Sequence, residues 1–339
     1  MTGTSITFYN EELLIAKKLE NIFKMEYPKE LIEIVIIDSS NDCTPEIIKE
    51  YQKKHNNINL ISQERSGLAT ALNTAYAAAQ NEIVIKTDCD SMLAKDTLKK
   101  VSSDFGDPEI GGVTGKQVVI NESKVEVGYR SLQSRVQIAE SWVDSTIIFH
   151  GPFSAYRKKL IKPIDPDSLA DDSELAIKVR KQGYRTVLDP EILFYEASQS
   201  TFFKRRNQKD RRGKGLIRLL LRHKDVLFNP EYGNYGNIVL PMNYFMMILS
   251  PYLILLLFAI SFYLLFQYDQ MIAAWTFFLL VLFIYLGQAN KLYKLEPAYS
   301  FLDTQISLLV GGLSLIFGKE SGGTWEVDQE LRGAYLKHE

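Results

Sequence analysis

Glu82-Ile83-Val84-Ile85-Lys86-Thr87-Asp88-Cys89-Asp90-Ser91 is the stretch that decides how this 339-residue chain folds. An apolar run that breaks into two carboxylates one residue apart reads as a buried strand ending in a bend. Such a bend aims Asp88 and Asp90 into the crevice beyond the strand's carboxyl end, where open α/β sheets bind ligands. Two hard oxygen donors there suit Mg2+ or Mn2+, which in turn hold a diphosphate. In a random surface turn, Asp-x-Asp is more often a solvated Asx-turn. Its place after a buried strand favours the ligand reading.

On either side, the first two hundred residues alternate short β-rich runs with helical patterns, as a mostly parallel sheet covered by helices requires. Strands are expected at Thr4 to Phe8, Ile32 to Ile37, Ile58 to Ser62, Glu82 to Thr87 and Gly111 to Val119. Helices are expected at Glu11 to Met25, Thr44 to Lys54 and Ala69 to Ala79, with Asn10 as one N-cap and Asp42 or Thr44 as another. Three polar loops follow strands: Tyr9-Asn10-Glu11, Asp38-Ser39-Ser40-Asn41-Asp42 and Asp88-Cys89-Asp90. Crossovers of one hand bring them to one edge of the sheet. There Asp38 can accept from a base N–H while Asp88 and Asp90 face ribose and metal. Further along, Asp171-Asp172-Ser173-Glu174-Leu175 opens a helix from Ser173 to Gln182 that ends at Gly183. Capping alone would explain either aspartate. Adjacent carboxylates also raise one another's proton affinity, which suits a general base.

Composition bounds the rest. Lys and Arg number 39 against 41 Asp and Glu, which gives no ground for bulk nucleic-acid binding. Two cysteines, Cys43 and Cys89, make neither a disulfide framework nor a zinc pattern, so a reducing compartment is expected. Met1 to Thr7 has no secretory signal pattern. Charge concentrates between Lys204 and Lys224, where ten cations accompany one acid, Asp210. That density suits an anionic membrane surface or a polyphosphate.

Membrane segments come late. Tyr232 to Tyr268 carries no charge, and Tyr244 to Phe266 would make a helix of roughly 34 Å, enough for a ~30 Å hydrocarbon core. Met271 to Asn290 follows after the turn Gln267-Tyr268-Asp269-Gln270, completing a helical hairpin over residues 238–290. Basic residues before it, and Lys291 and Lys294 after it, put both ends in the cytoplasm. Phe301 to Phe317 carries a polar stripe of Asp303, Ser307, Gly311 and Ser314, so residues 298–318 read as an interfacial or packed helix in preference to a third span. Gly215 to Phe228 interleaves leucines with Arg218, Arg222 and Lys224, an amphipathic helix suited to the membrane surface within a basic segment 201–232. Residues 319–339 are then a cytoplasmic tail.

Taken in order, these motifs resemble the family 2 glycosyltransferases, inverting and metal-dependent enzymes of the GT-A fold, over residues 4 to 215. Tyr9-Asn10-Glu11-Glu12 resembles the family's opening, Asp38 to Asp42 its nucleotide-contact loop, Arg65-Ser66-Gly67 with Ala71-Leu72-Asn73 its next segment, and Asp88-Cys89-Asp90 its metal motif. Gly151 to Arg157 resembles the strand pair near the acceptor, and Asp171-Asp172 stands where the family has Glu-Asp. The resemblance implies Asp172 as base, Asp171 near the acceptor, Asp88 and Asp90 on metal, and Tyr9, Glu11, Asp38 and Asp88 on the nucleotide.

Gln208-Lys209-Asp210-Arg211-Arg212 is similar to the Gln-x-x-Arg-Trp motif of membrane-bound members that make polysaccharides or glycolipids, which implies that Gln208, Arg211 and Arg212 hold the diphosphate. Thr324-Trp325-Glu326 resembles a C-terminal motif of part of the family. Thr7, Leu68 and Arg212 depart from the pattern. Arg212 removes an aromatic platform for an acceptor sugar unless Trp325 or Trp142 supplies one. The expectation is a membrane-anchored inverting glycosyltransferase with its catalytic domain in the cytoplasm. Its donor would be a UDP-sugar with Mg2+ or Mn2+, and its acceptor a lipid-linked or membrane saccharide. Membrane lipid is the expected partner, and a homo-oligomer is left open. A processive polysaccharide synthase is the nearest alternative. A silent nucleotide-sugar-binding scaffold is the next, and a transporter is disfavoured because two or three spans offer no repeat.

Overall fold

The computed structural model describes residues 2–8, 10–120, 124–197, 202–289, 291–318, 332, 333 and 335. Its sheet is built from β1 (Thr2–Phe8), β2 (Ile32–Asp38), β3 (Ile58–Ser62), β4 (Ile83–Thr87), β5 (Ser91–Leu93), β6 (Ile110–Val119), β7 (Phe153–Arg157) and β8 (Arg185–Glu196). They lie in the order β3-β2-β1-β4-β7-β6-β8-β5. The first four are mutually parallel, β7 runs antiparallel between β4 and β6, and β6 is parallel to β8. All five strands expected from the sequence are present.

Helices α1 (Ile15–Phe23), α2 (Thr44–Gln52), α3 (Leu68–Ala78), α4 (Thr97–Asp104), α5 (Lys124–Val143) and α6 (Asp171–Arg180) surround this sheet. Side chains alternate in strands, so β2 sends Ile34 and Ile36 to a core with Leu19 and Ile22 of α1, and Val35 and Ile37 to a second core with Leu72 of α3 and Leu175 of α6. Burial on both faces explains the unbroken apolar run of a parallel strand.

Both expected caps differ: Cys43 is the N-cap of α2, with Asp42 one residue earlier accepting from the Thr44 amide at 3.0 Å. Helix α1 starts at Ile15 after a turn, and Asn10 sits in the left-handed region at φ 54°. Its side chain accepts from the Asn41 amide at 3.0 Å, while its own amide donates to Ser40 Oγ at 2.8 Å. Asn10 therefore laces the loop after β1 to the loop after β2 instead of capping a helix.

Helix α7 (Phe202–Arg222) runs unbroken through the basic segment. Its apolar residues correct the expected membrane-surface role: Ile217, Leu219 and Leu220 are buried, Leu219 and Leu220 against Ile147, Ile177, Val226 and Tyr235. Arg222 pairs with Asp165, Asp167 and Glu174, and Arg218 with Asp167. Fixed carboxylates of the catalytic domain thus take two of the three cations expected to meet lipid, Arg218 and Arg222.

Beyond it, a helical run from Tyr235 to Tyr268 ends in α9 (Ser250–Tyr268), after the short α8 (Leu240–Tyr244) flanked by π-helical turns. Asp269 caps α10 (Gln270–Gln288), accepting from the Met271 and Ile272 amides, and α11 (Glu296–Phe317) follows. Three helical stretches among the described residues are long and apolar enough to cross a membrane: Tyr235–Tyr268, Gln270–Gln288 and Tyr293–Phe317. The polar stripe of α11 faces α7, where Asp303 binds Arg206 and Lys209, each at 2.9 Å.

Candidate active site

The sheet order reverses between β1 and β4, with β2 on one side of β1 and β4 on the other, and the loops leaving these two strands border one crevice. Glu11 enters it after β1, and Asp88 and Asp90 after β4. The register of β4 with β7 sets Lys86 directly opposite Ser154. Cross-strand partners point to one face. Both meet Asp172 at the start of α6: Lys86 Nζ lies 3.0 Å from Oδ2, and Ser154 Oγ donates to Oδ1 at 3.2 Å. Tyr156, two residues on and so on the same face of β7, donates to the Asp172 carbonyl at 2.7 Å. The carboxylate that the sequence nominates as base is held at both oxygens.

Lys86 is the centre of a larger cluster. Its ammonium also lies 3.5 Å from Asp171 and 3.6 Å from Asp88, so one buried cation faces three carboxylates. Burial and Asp171 raise the pKa of Asp172 to about 7, and Lys86 opposes the rise. Gly151 leaves the space beside this cluster open: a Cβ there would stand 3.1 Å from Asp172 Oδ2, 3.3 Å from Lys86 Nζ and 3.6 Å from Asp88 Oδ2.

On the donor side, Arg332 reaches into the crevice from the C-terminal segment. Its guanidinium grips Glu11, with Nε 2.9 Å from Oε2, and also contacts Asp90. Burial still pushes the Glu11 carboxyl up to about 7, against the opposing pull of Arg332. Deeper in, Glu196 accepts from Gln117, and burial raises its pKa to about 7 with Arg212 opposing.

All of these groups except Ser154 and Tyr156 line one cavity of about 1510 Å3, as do Gln208, Arg211 and Arg212 of α7. Asp38 is buried, accepts from the Ser40 amide at 3.2 Å and does not line the cavity, although its neighbour Ser39 does. Tyr9 and Trp325 lie outside the described residues. Trp142 is 83% exposed and away from the cavity lining. Sequence reasoning missed Lys86, Glu196 and Arg332, and it gave Gly151 and Ser154 no role of their own within the segment Gly151 to Arg157 that it set near the acceptor. The signal for Lys86 was available, since it is the single charge within the strand Ile83–Thr87.

Residues 5–164 match the model for Glycosyl transferase family 2. The chain carries a family 2 glycosyltransferase domain. It is 27% identical over 223 residues to the poly-β-1,6-N-acetyl-D-glucosamine synthase of Staphylococcus epidermidis, covering 63% of this chain and 54% of that one. The synthase of the same name from Staphylococcus aureus (strain COL) is 26% identical over 257 residues, covering 73% and 62%. The chain thus spans a little over half the length of these curated relatives. A mannosyltransferase from Pyrobaculum calidifontis, solved in complex with GDP-Man and Mn2+, has a TM-score of 0.76 at 27% identity over 94% of this chain and 88% of that one.

The glycosyltransferase domain offers a divalent ion Asp88 and Asp90, hard carboxylate donors at a strand end. Among the described residues no group of three or more His, Cys, Asp or Glu is arranged to hold a metal. Two carboxylates suffice where diphosphate oxygens and water complete the shell, as is usual for Mg2+. Asp90 already holds a cation in the form of the Arg332 guanidinium, which shows that this place favours positive charge.

Proposed function

We propose that this chain is a membrane-anchored inverting glycosyltransferase that moves a sugar from a nucleotide-diphosphate sugar to a hydroxyl of a membrane-borne acceptor. The carrying observation is the continuity of the cavity. It joins Asp88, Asp90 and Asp172 to an apolar wall of Leu132 and Val136 from α5, Met242 and Met246 from the helical run after Tyr235, and Phe301 from α11. An amphiphile lying along that wall can bring its polar end to Asp172 without leaving the apolar phase. An exposed apolar lining of this kind is what a lipid-bearing ligand needs.

Asp172 takes the proton of the acceptor hydroxyl, and a pKa near neutrality suits that task. Lys86 and Ser154 fix its two oxygens, so the carboxylate is oriented before the acceptor arrives. Asp171 stands beside the acceptor. Asp88 and Asp90 would hold Mg2+ or Mn2+, whose charge offsets that of the departing diphosphate. Gln208, Arg211 and Arg212 steady the diphosphate from α7, the arginines through planar forks. Glu11 and Tyr9 contact the nucleoside, and Asp38 acts on it only indirectly, by accepting from the Ser40 amide and so holding the loop whose Ser39 lines the cavity. Trp325 offers an aromatic face to the acceptor. The catalytic domain faces the cytoplasm.

Two donor classes are in play. The family resemblance favours a UDP-sugar, and the GDP-Man of the Pyrobaculum enzyme makes a GDP-sugar the second arm. A processive reading is supported by the names of the staphylococcal relatives, which are polymer synthases. The test is transfer by the full chain in nanodiscs with Mn2+, a panel of UDP- and GDP-sugars and an extracted lipid acceptor pool. Label entering a lipid fraction as single additions supports the proposal. A ladder of long products supports the processive reading, and no transfer with any donor overturns both.

A further inference from the structure

A lysine with no exposed surface lies behind the turn that carries Asp88 and Asp90. Lys18 sits on α1, on the face that otherwise presents Leu14, Ile15, Leu19 and Ile22 to the core, and it is 0% exposed. Its ammonium donates to Thr87 Oγ1 at 2.7 Å and to the Ser91 carbonyl oxygen. Thr87 and Ser91 are the residues immediately before and after Asp88-Cys89-Asp90. One buried group therefore pins both ends of the turn.

Packing does not explain the residue. Burying an ammonium costs several kcal/mol of hydration that hydrogen bonds must offset. A methionine would fill the same apolar face without that cost. Neither hydrogen bond goes to a carboxylate: both partners belong to the turn. The neighbouring strand shows the same economy in Lys86, but that ammonium faces the cavity, whereas Lys18 does not line it.

We propose that Lys18 is a positioning residue for the metal-binding turn, an internal tie between Thr87 and Ser91 that aims Asp88 and Asp90 into the crevice. The assignment rests on the reading of these aspartates as metal ligands, and goes beyond it by naming what shapes them. It also makes a choice of sign. A positive charge within electrostatic reach of Asp88 and Asp90 repels a divalent cation. If charge were the whole effect, removing Lys18 would tighten metal binding. If the tie matters, removal loosens it.

The experiment measures Mn2+ binding by calorimetry on the full chain in detergent, alongside hydrogen exchange of the peptide spanning residues 87–91 without metal. Lys18→Met is expected to weaken Mn2+ binding at least tenfold and to speed exchange in that peptide. Lys18→Gln keeps a donor without the charge and is expected to bind Mn2+ within threefold of wild type or more tightly. Thr87→Val removes one acceptor only, and serves if Lys18→Met does not fold; it is expected to weaken binding about threefold. Unchanged or tighter binding in Lys18→Met, or unchanged exchange in either folded variant, overturns the proposal. Wild-type chain that binds no Mn2+ while Lys18→Met still loosens the peptide would sink the metal reading and leave the tie standing.

Discussion

Lys86 Nζ and Asp172 Oδ2 form a buried ion pair of 3.0 Å across two elements, β4 and α6, that are far apart in sequence. The same ammonium is 3.6 Å from Asp88, so the carboxylate proposed as base and one proposed for the donor share a counter-ion. Removing the lysine would leave three carboxylates facing one another. Like charges in a dry site push a carboxyl pKa upward. In Lys86→Met the base is then mostly protonated at neutral pH, and turnover there is expected to fall about fivefold or more. Because the ionised form is the active one, the acid limb of the pH–rate profile should move up by a unit or more, with partial recovery near pH 9. An unshifted profile would remove Lys86 from this role.

In the wild type, Asp172 titrates at about 7, raised by burial and Asp171. Its working form lies above that value, so turnover is expected to decline as pH falls through 7. Asp172→Asn removes the proton acceptor while keeping the shape, and a lost general base costs about 10²–10⁴ in rate. Donor binding measured by calorimetry should change less than threefold. A variant that transfers at a tenth of the normal rate would show that another group takes the proton.

Gly151 is a test of the reaction space itself. The methyl of Gly151→Ala would sit between the Asp172 and Asp88 carboxylates, 3.1 Å from the one and 3.6 Å from the other. The backbone there is not in the left-handed region, so alanine imposes no strain of its own. Turnover is expected to drop at least tenfold with the unfolding temperature within about 3 °C of wild type, about 1 kcal/mol or less. Normal turnover would place the acceptor elsewhere.

Much of this was legible from residue order, because strand, loop and helix signals here agree with burial. The run Ile34 to Ile37 alternates between two cores, and a strand buried on both faces is uniformly apolar. The carboxylates at the ends of β4 and at the start of α6 were found because polar groups after apolar runs stand out. What was not legible depends on register and long-range return. Ser154 matters because β7 lies antiparallel to β4, opposite Lys86, and no local pattern announces that pairing. Arg332 comes back to Glu11 from the far end of the chain. Leucines of α7 have the same periodicity whether they meet lipid or the Ile147 and Ile177 core.

Arg332 and a divalent cation compete for the same oxygens. The guanidinium holds both Glu11 and Asp90, so metal must displace it from Asp90 or bind against it. Arg332→Gln removes that competitor without shortening the side chain greatly. Mn2+ affinity in the absence of nucleotide is expected to rise at least threefold, measured by calorimetry at several pH values from 7 to 8.5, because losing Arg332 pushes the Glu11 carboxyl further up. Weaker binding would mean that Arg332 organises the carboxylates instead of occupying them.

The contact of α11 with α7 carries the last expectation. Asp303 is 7% exposed and answers both Arg206 and Lys209, while the two backbones approach so closely that a Cβ at Gly311 would stand 2.8 Å from the Lys214 amide nitrogen. Small residues permit such approach between helices, and the ion pairs fix which faces meet. Asp303→Asn leaves two half-buried cations without their anion. Breaking a buried pair costs about 3–5 kcal/mol, and less here because Arg206 keeps a second partner in Asp210 at 3.0 Å. Thermal unfolding in detergent should fall by several degrees, and Gly311→Leu should fall further because backbone cannot move aside. Gln208, Arg211 and Arg212 ride on α7, so both variants should also weaken nucleoside diphosphate binding. A stability loss with diphosphate binding intact would separate the α7 docking from the donor site, leaving Gln208, Arg211 and Arg212 without the role given to them.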